Sequence, residues 1–270
     1  MLIAKKLDIL TKIVIDKRKE VDLRKSLIPA RQLEGSVLFE RNTISLVERL
    51  KSSESGIIAE FKRRSPSKQV INHDLNVFDV AIGYENAGVS GMSILTDSKY
   101  FGGSLDDLLN ARASCHLPLL RKEFIIDTYQ ILEAKAYGAD VILLIAAILT
   151  EKEIQEFSQL AKSLGLNVLL EVHNEEELNK SIMPSIDLLG VNNRNLKTFQ
   201  VSLATSKKLS SKIPDDFVKV SESGISSVEA IKQLQPYGYK GFLIGENFMK
   251  TNDAGKSAET FINELTQVLE

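Results

Sequence analysis

The chain has 270 residues, with 34 Lys and Arg against 36 Asp and Glu, a net charge of −2 and one cysteine. That length suits one large domain with a substantial core. The even charge balance argues against nucleic acid as the main partner, and the single Cys115 rules out an internal disulfide or a cysteine metal cluster.

The N-terminus mixes charges among its apolar residues, so it does not read as a signal peptide. In "AKKLDILTKIVIDKRKEVDLRKSL", Leu7, Leu10, Ile13 and Val14 recur at helical spacing. Residues 1–55 therefore read as a helical extension. Its simplest role is to cover one end of the domain formed by the rest of the chain, and a share in a substrate site is the second reading. From Gly56 onward, short apolar runs alternate with longer helical segments. The predicted strands are 57–61, 92–95, 119–121, 141–146, 168–171, 188–191, 218–221 and 242–244. Several lack in-out alternation, as parallel strands buried on both faces do. Helices are predicted over 77–87, 128–137, 151–164 and 227–234, and Gly88, Gly138, Gly165 and Gly238 come where a helix stop belongs.

Eight β-then-α units over 56–270 predict a (β/α)8 TIM barrel, with 1–55 packed on it as part of one domain. A doubly wound open sheet is the alternative, but its glycine-rich dinucleotide fingerprint is missing after the first strand. The longest apolar run, 141–149, is too short for a membrane span. His73, His116 and His173 are scattered, so no metal site is expected. A reducing cytoplasm suits the composition.

A barrel of this kind carries its site at the C-terminal ends of its strands. Those ends hold Glu60 and Lys62, Lys122 and Phe124, Glu171, Asn192 and Arg194, Glu222 with Ser223 and Gly224, and Gly245 with Glu246. Alternation along a strand puts Glu60 and Lys62 on one face. A single acid at a strand end is most simply a bracing residue. So many ionisable groups around one mouth are better explained by use, because buried charge is costly unless it is paired or used. Gly224 and Gly245 free backbone N–H groups at the two loops where barrels commonly hold phosphate. The run "KRR" at 62–64 reads most simply as a solvated loop.

These motifs resemble the indole-3-glycerol-phosphate synthase family. "IIAEFKRRSPSK" is similar to its first-strand signature, and "LLRKEFI", "LLEVHNEEEL", "GVNNRNLKTF", "VSESGIS" and "FLIGENFM" come after it in order. The resemblance implies ring closure, decarboxylation and dehydration of 1-(2-carboxyphenylamino)-1-deoxyribulose 5-phosphate, without a cofactor. It implies that Lys122 is the general acid and that Glu171 and Glu60 handle protons, with Lys62 near the substrate carboxylate. It assigns Asn192, Arg194 and Glu222 to orientation, and Ser65, Ser223, Gly224, Gly245 and the N–H of Glu246 to the phosphate. Phe124, Leu143 and Leu196 would wall the aromatic ring. Some members carry Ser where this chain has Glu246, so that carboxylate is expected to point away from the phosphate. A monomer with a small phosphorylated substrate is expected, with at most weak association with other tryptophan-pathway enzymes, and neither nucleic acid nor membrane as partner. The competing readings are a phosphoribosylanthranilate isomerase-like barrel, a barrel that only binds phosphate ligands, and an RNA-binding surface built on Lys62–Arg64 and Lys68.

Overall fold

A computed structural model describes residues 8–196 and 198–269, so Leu7 of the predicted extension helix lies outside the described residues. Eight strands form: β1 (Ile57–Phe61), β2 (Gly91–Leu95), β3 (Leu119–Lys122), β4 (Val141–Ile145), β5 (Asn167–Val172), β6 (Leu188–Asn192), β7 (Val218–Glu222) and β8 (Tyr239–Ile244). They pair in chain order, all parallel, and β1 closes on β8 through Ile57↔Phe242 and Ala59↔Ile244. The closed ring is the (β/α)8 barrel that the alternating pattern predicted, and it excludes the open-sheet alternative.

Only β1 keeps its predicted bounds; most other ends move by one residue, and two shifts have a local cause. β4 stops at Ile145, because Ala146–Ile148 winds into a 3₁₀ turn. β8 begins at Tyr239, directly after the positive-φ Gly238, where "YKG" reads as loop in the sequence. The four predicted helices form at Val77–Asn86, Tyr129–Ala136, Glu151–Ser163 and Val228–Leu234. Glu151–Ser163 starts in a reciprocal cap, in which Thr150 accepts from the Glu153 N–H and the Glu153 side chain accepts from the Thr150 N–H. Leu105–Ser114 and Ala254–Leu269 are helices that the spacing did not reveal.

Alternation along each strand sorts the core into two layers. Ile57, Ala59 and Phe61 face outward toward the helices, with Ile142, Leu144, Val168 and Leu170. Ile58, Leu120, Val141, Leu143, Leu169, Leu188, Val218, Val220 and Leu243 face the barrel interior. The segment before β1 forms α1 (Ile9–Leu27), α2 (Ala30–Glu34) and α3 (Leu46–Ser52). Leu46 and Leu50 of α3 are fully buried within the interior layer, so α3 closes the N-terminal end of the barrel. Asp140, just before β4, anchors the approach to α3. It accepts from the Ile44 N–H at 2.8 Å, from Arg41 at 2.6 Å and from Arg112 at 2.9 Å.

The other end of the extension behaves differently. Lys17 of α1 is 2% exposed, with its ammonium 2.8 Å from Glu20, 3.0 Å from Asp97 and 3.1 Å from Glu123. Asp97 lies just after β2 and Glu123 just after β3, so this one buried cation ties α1 to the C-terminal face of the barrel.

Candidate active site

The interior-facing parity of the strands does not end with the apolar layer. One step of two residues beyond Ile58 comes Glu60, beyond Leu120 comes Lys122, and beyond Leu169 comes Glu171. Two steps beyond Leu188 come Gly190 and then Asn192, and beyond Val220 comes Glu222. The residues that point inward are thus aliphatic at the closed end and ionisable at the open end. Above them lies a cleft of about 460 Å³, and every site residue named from the sequence lines it. Glycine makes the room. A Cβ at Gly190 would sit 2.4 Å from Glu222 Oε1, and one at Gly245 would sit 2.6 Å from Glu60 Oε1.

Lys122 is the centre of the charge arrangement. Its ammonium contacts Glu222 and lies 3.3 Å from Glu171 Oε2. Burial works against that ammonium, but the charges of Glu222, Glu171 and Glu60 outweigh it, so its pKa is raised. The apolar surroundings of "PLL" and Phe124 suggest a downward pull, and the carboxylates win. Burial also opposes ionisation of Glu171, yet Lys122, His173 and Asn192 together hold its carboxyl below the usual range. Asn192 Nδ2 donates to Glu171 Oε1 at 3.1 Å. Glu222 goes the other way. Burial drives it up, Lys122 only partly offsets this, and Glu171 and Glu60 add to the rise, to about 7. Two carboxylates share one ammonium and titrate as a pair, with Glu222 held up and Glu171 held down. Beside this group, Lys62 Nζ donates to Glu60 Oε1 at 2.5 Å.

The opposite side of the cleft is made of backbone. Ser223 and Gly224 come after β7 at φ 66° and 80°, and a left-handed serine is uncommon. Asn193 holds that turn, its Nδ2 donating to the Ser223 carbonyl at 3.1 Å and to Ser221 Oγ at 2.9 Å. A Cβ at Gly224 would meet Val201 Cγ1 at 2.5 Å. Position 224 therefore demands glycine through backbone strain and its packing on Val201. Gly245 precedes the short helix Glu246–Met249, whose first N–H groups have no acceptor within the helix. The Glu246 carboxylate turns to Lys68 across the rim at 2.8 Å, and that contact lowers its pKa.

The sequence matches the family description "Indole-3-glycerol phosphate synthase" over residues 10–261. The chain belongs to that family. The indole-3-glycerol phosphate synthase of Bacteroides thetaiotaomicron is 48% identical over 258 residues, covering 96% of this chain and 99% of that protein. Its counterpart from Campylobacter jejuni subsp. doylei is 40% identical, covering 94% of this chain and 100% of that one. Solved structures share the fold at low identity. The 3-hexulose-6-phosphate synthase of Salmonella typhimurium superposes with a TM-score of 0.63 at 13% identity, over 78% of this chain and 99% of that one. The tryptophan synthase α subunit of Legionella pneumophila gives a TM-score of 0.59 at 14% identity, over 84% and 99% respectively.

In this indole-3-glycerol phosphate synthase family member, the cleft also contains residues that the strand-end rule missed. Ile9, Leu10 and Ile13 of α1 line it, so the extension does more than cover a barrel end. Phe101 lies beside Phe124, with ring centres 6.0 Å apart, and Leu143 and Leu196 line the same cleft. Arg194 lies along the cleft, its backbone N–H donating to Asn192 Oδ1 at 3.0 Å and its guanidinium to the Phe199 carbonyl at 3.4 Å. Ser65 Oγ accepts from the Lys68 N–H at 3.1 Å, closing the Ser-Pro-Ser turn at the rim. The basic run is engaged within the molecule. Arg63 pairs with Asp107 at 2.6 and 2.8 Å and stacks over Phe61, while Arg64 donates to the carbonyls of Ser98 and Lys99. An RNA-binding surface on that run would have to break these contacts. Among the described residues, no helix is long and apolar enough to cross a membrane.

Proposed function

We propose that this cleft performs the reaction of its family: conversion of 1-(2-carboxyphenylamino)-1-deoxyribulose 5-phosphate to indole-3-glycerol phosphate, CO2 and water. The observation that carries the assignment of roles is the charge arrangement on one interior parity, with Lys122 set between Glu171 and Glu222. Lys122 is the general acid at the C2′ carbonyl. A developing alkoxide is a stronger base than a primary amine, so a lysine with a raised pKa still protonates it in the transition state. Lys62 lies beside the substrate carboxylate. Ring attack produces an iminium-type cation that accepts the electrons released as CO2 departs, so the chemistry needs no organic cofactor. Glu171 and Glu60 then serve the dehydration, one giving a proton to the leaving hydroxyl and the other removing the ring proton. Asn192 and Glu222 orient Glu171 and Lys122.

Ser65, the Ser223–Gly224 turn, Gly245 and the N–H of Glu246 hold the phosphate, aided by the exposed dipole end of the short helix. Arg194 orients the substrate, while Phe124, Leu143 and Leu196 wall the aromatic ring, joined by Phe101 and Leu10, which line the same cleft. Residues 1–55 act as part of one catalytic unit, in a monomeric cytoplasmic enzyme. The purified protein, given the carboxyphenylamino substrate, is expected to develop indole absorbance and fluorescence. Binding without any indole signal would instead favour a phosphate-ligand barrel.

A further inference from the structure

The reaction assigned above has a proton balance that the cleft alone does not explain. With its carboxylate ionised, the substrate yields indole-3-glycerol phosphate, CO2 and hydroxide, so each turnover consumes one proton from solvent. Glu171 is only 4% exposed in the open cleft, and substrate bound there would cover it further. Two residues on from Glu171, just past the end of β5, stands His173. It lines a second groove with Glu177 and Asn174, between α1 and the loops after β4, β5 and β6, which adjoins the cleft at Leu10, Asn192, Arg194 and Leu196. Its Nδ1 lies 3.1 Å from Glu177 Oε2, and its Nε2 lies 3.4 Å from Glu171 Oε1. That buried Nε2 makes no hydrogen bond among the described residues. Glu177 is fixed in turn, accepting from the His173 N–H at 2.8 Å and from Asn174 Nδ2 at 2.8 Å.

We propose that His173, held by Glu177, is a positioning residue that supplies protons to Glu171 from the second groove, a proton inlet that adjoins the substrate mouth. In the imidazolium form both ring nitrogens donate, Nδ1–H to Glu177 and Nε2–H toward Glu171. As the hydroxyl leaves, the Nε2–H bond breaks and an Oε1–H bond forms on Glu171, which passes a proton on to that hydroxyl and returns to the carboxylate it holds at rest. The neutral ring is then reprotonated by solvent acid reaching the groove. Burial disfavours the imidazolium, but Glu177 and Glu171 outweigh it and the pKa of His173 is raised. The groups that set this balance are Glu171 on β5, Glu177 on the following helix, Glu222 on β7, and Lys122 on β3 acting through Glu171. Asp8 and Arg194 line the same groove.

The test is steady-state kinetics of the full chain as H173A and E177Q, over about pH 6 to 9, with imidazole as the added proton donor. H173A is expected to lose at least about tenfold in kcat, with KM held within about twofold, and to regain kcat saturably as imidazole is added. E177Q removes a carboxylate that favours the imidazolium, so its kcat is expected to fall at lower pH than in the wild type. Three outcomes overturn the inlet alone: an H173A kcat near wild type, a loss that imidazole does not restore in a folded variant, or an unshifted E177Q profile. A wild type that forms no indole overturns the reaction assignment, and the inlet with it.

Discussion

Replacing Lys122 by Met is the most demanding test of the charge arrangement. The substitution keeps the length and the apolar stem but removes the one ammonium between Glu171 and Glu222, which are 4% and 1% exposed. Removing one partner of a buried pair typically costs about 3–5 kcal/mol of stability. Part of that cost is relieved here, because Glu222, already pushed up to about 7, takes a proton. Catalysis has no such relief. Loss of a positioned acid lowers kcat by about 10²–10⁴, or about 3–5 kcal/mol of transition-state stabilisation. KM is expected to move little, since the proposed phosphate and ring contacts lie elsewhere in the cleft. Indole fluorescence at saturating substrate gives kcat, circular dichroism gives the fold, and K122M/E222Q removes the charge imbalance so that instability cannot pass for lost chemistry. A near-normal kcat would refute the reasoning and move the acid role to Lys62. A raised KM with unchanged kcat would mean that Lys122 only binds charge, because uniform binding does not speed the chemical step.

The same geometry sets three further outcomes. Glu222 has a raised carboxyl pKa in the fold, so the native state binds the extra proton and stability falls as pH rises from the ordinary glutamate value to about 7. E222Q should flatten that fall, giving a melting temperature at pH 8 at or above wild type while activity is lost; an unchanged difference between melts at pH 5 and pH 8 contradicts it. K17M leaves Asp97 and Glu123 buried without their shared ammonium, and a urea midpoint corresponding to a loss of about 3–5 kcal/mol is expected. An unmoved midpoint would mean that the extension docks without this cation. E246S exchanges the rim carboxylate for a hydroxyl, so inorganic phosphate and phosphorylated product analogues should inhibit at lower concentration, and equal or weaker inhibition would show that Lys68 already neutralises the site.

The barrel was legible because its strands are short continuous aliphatic runs, and because residues such as Gly138 and Gly165, at φ 87° and 75°, stop the helices before them. The strand-end residues were legible for a related reason. A period of two carries the interior parity from Leu120 to Lys122 and from Leu169 to Glu171 without any knowledge of the loops. What stayed hidden depended on contacts between segments far apart in the chain. Lys17 sits in "IDKRKE", where the charged residues look equally solvated, and only Asp97 and Glu123 decide which turns inward. Leu105–Ser114 buries only Asp107, Leu108 and Ala111, too narrow a stripe to stand out by periodicity. Gly190 looks like an ordinary strand residue, and its role emerges only when Glu222 is seen to need the space. His173 reads as an isolated histidine, although the "EVHNEEE" spacing puts Glu177 four residues on, where one helical turn can return it to the ring.

The pairing of β1 with β8 has a consequence for how the chain is made. Synthesis runs from the N-terminus, so Ile57–Phe61 emerges long before Tyr239–Ile244, the strand that covers its second edge. Until then the ring is an open, strongly apolar ribbon with an unpaired border of the kind that recruits other chains. The lysines and the first two acids of the site are already present on that ribbon, whereas the proposed phosphate cradle after β7 and β8 is the last part of the site to emerge. A nascent or prematurely terminated chain would therefore hold the reactive groups without the anchor that aims a substrate at them, and would be a target for chaperones rather than a partial enzyme.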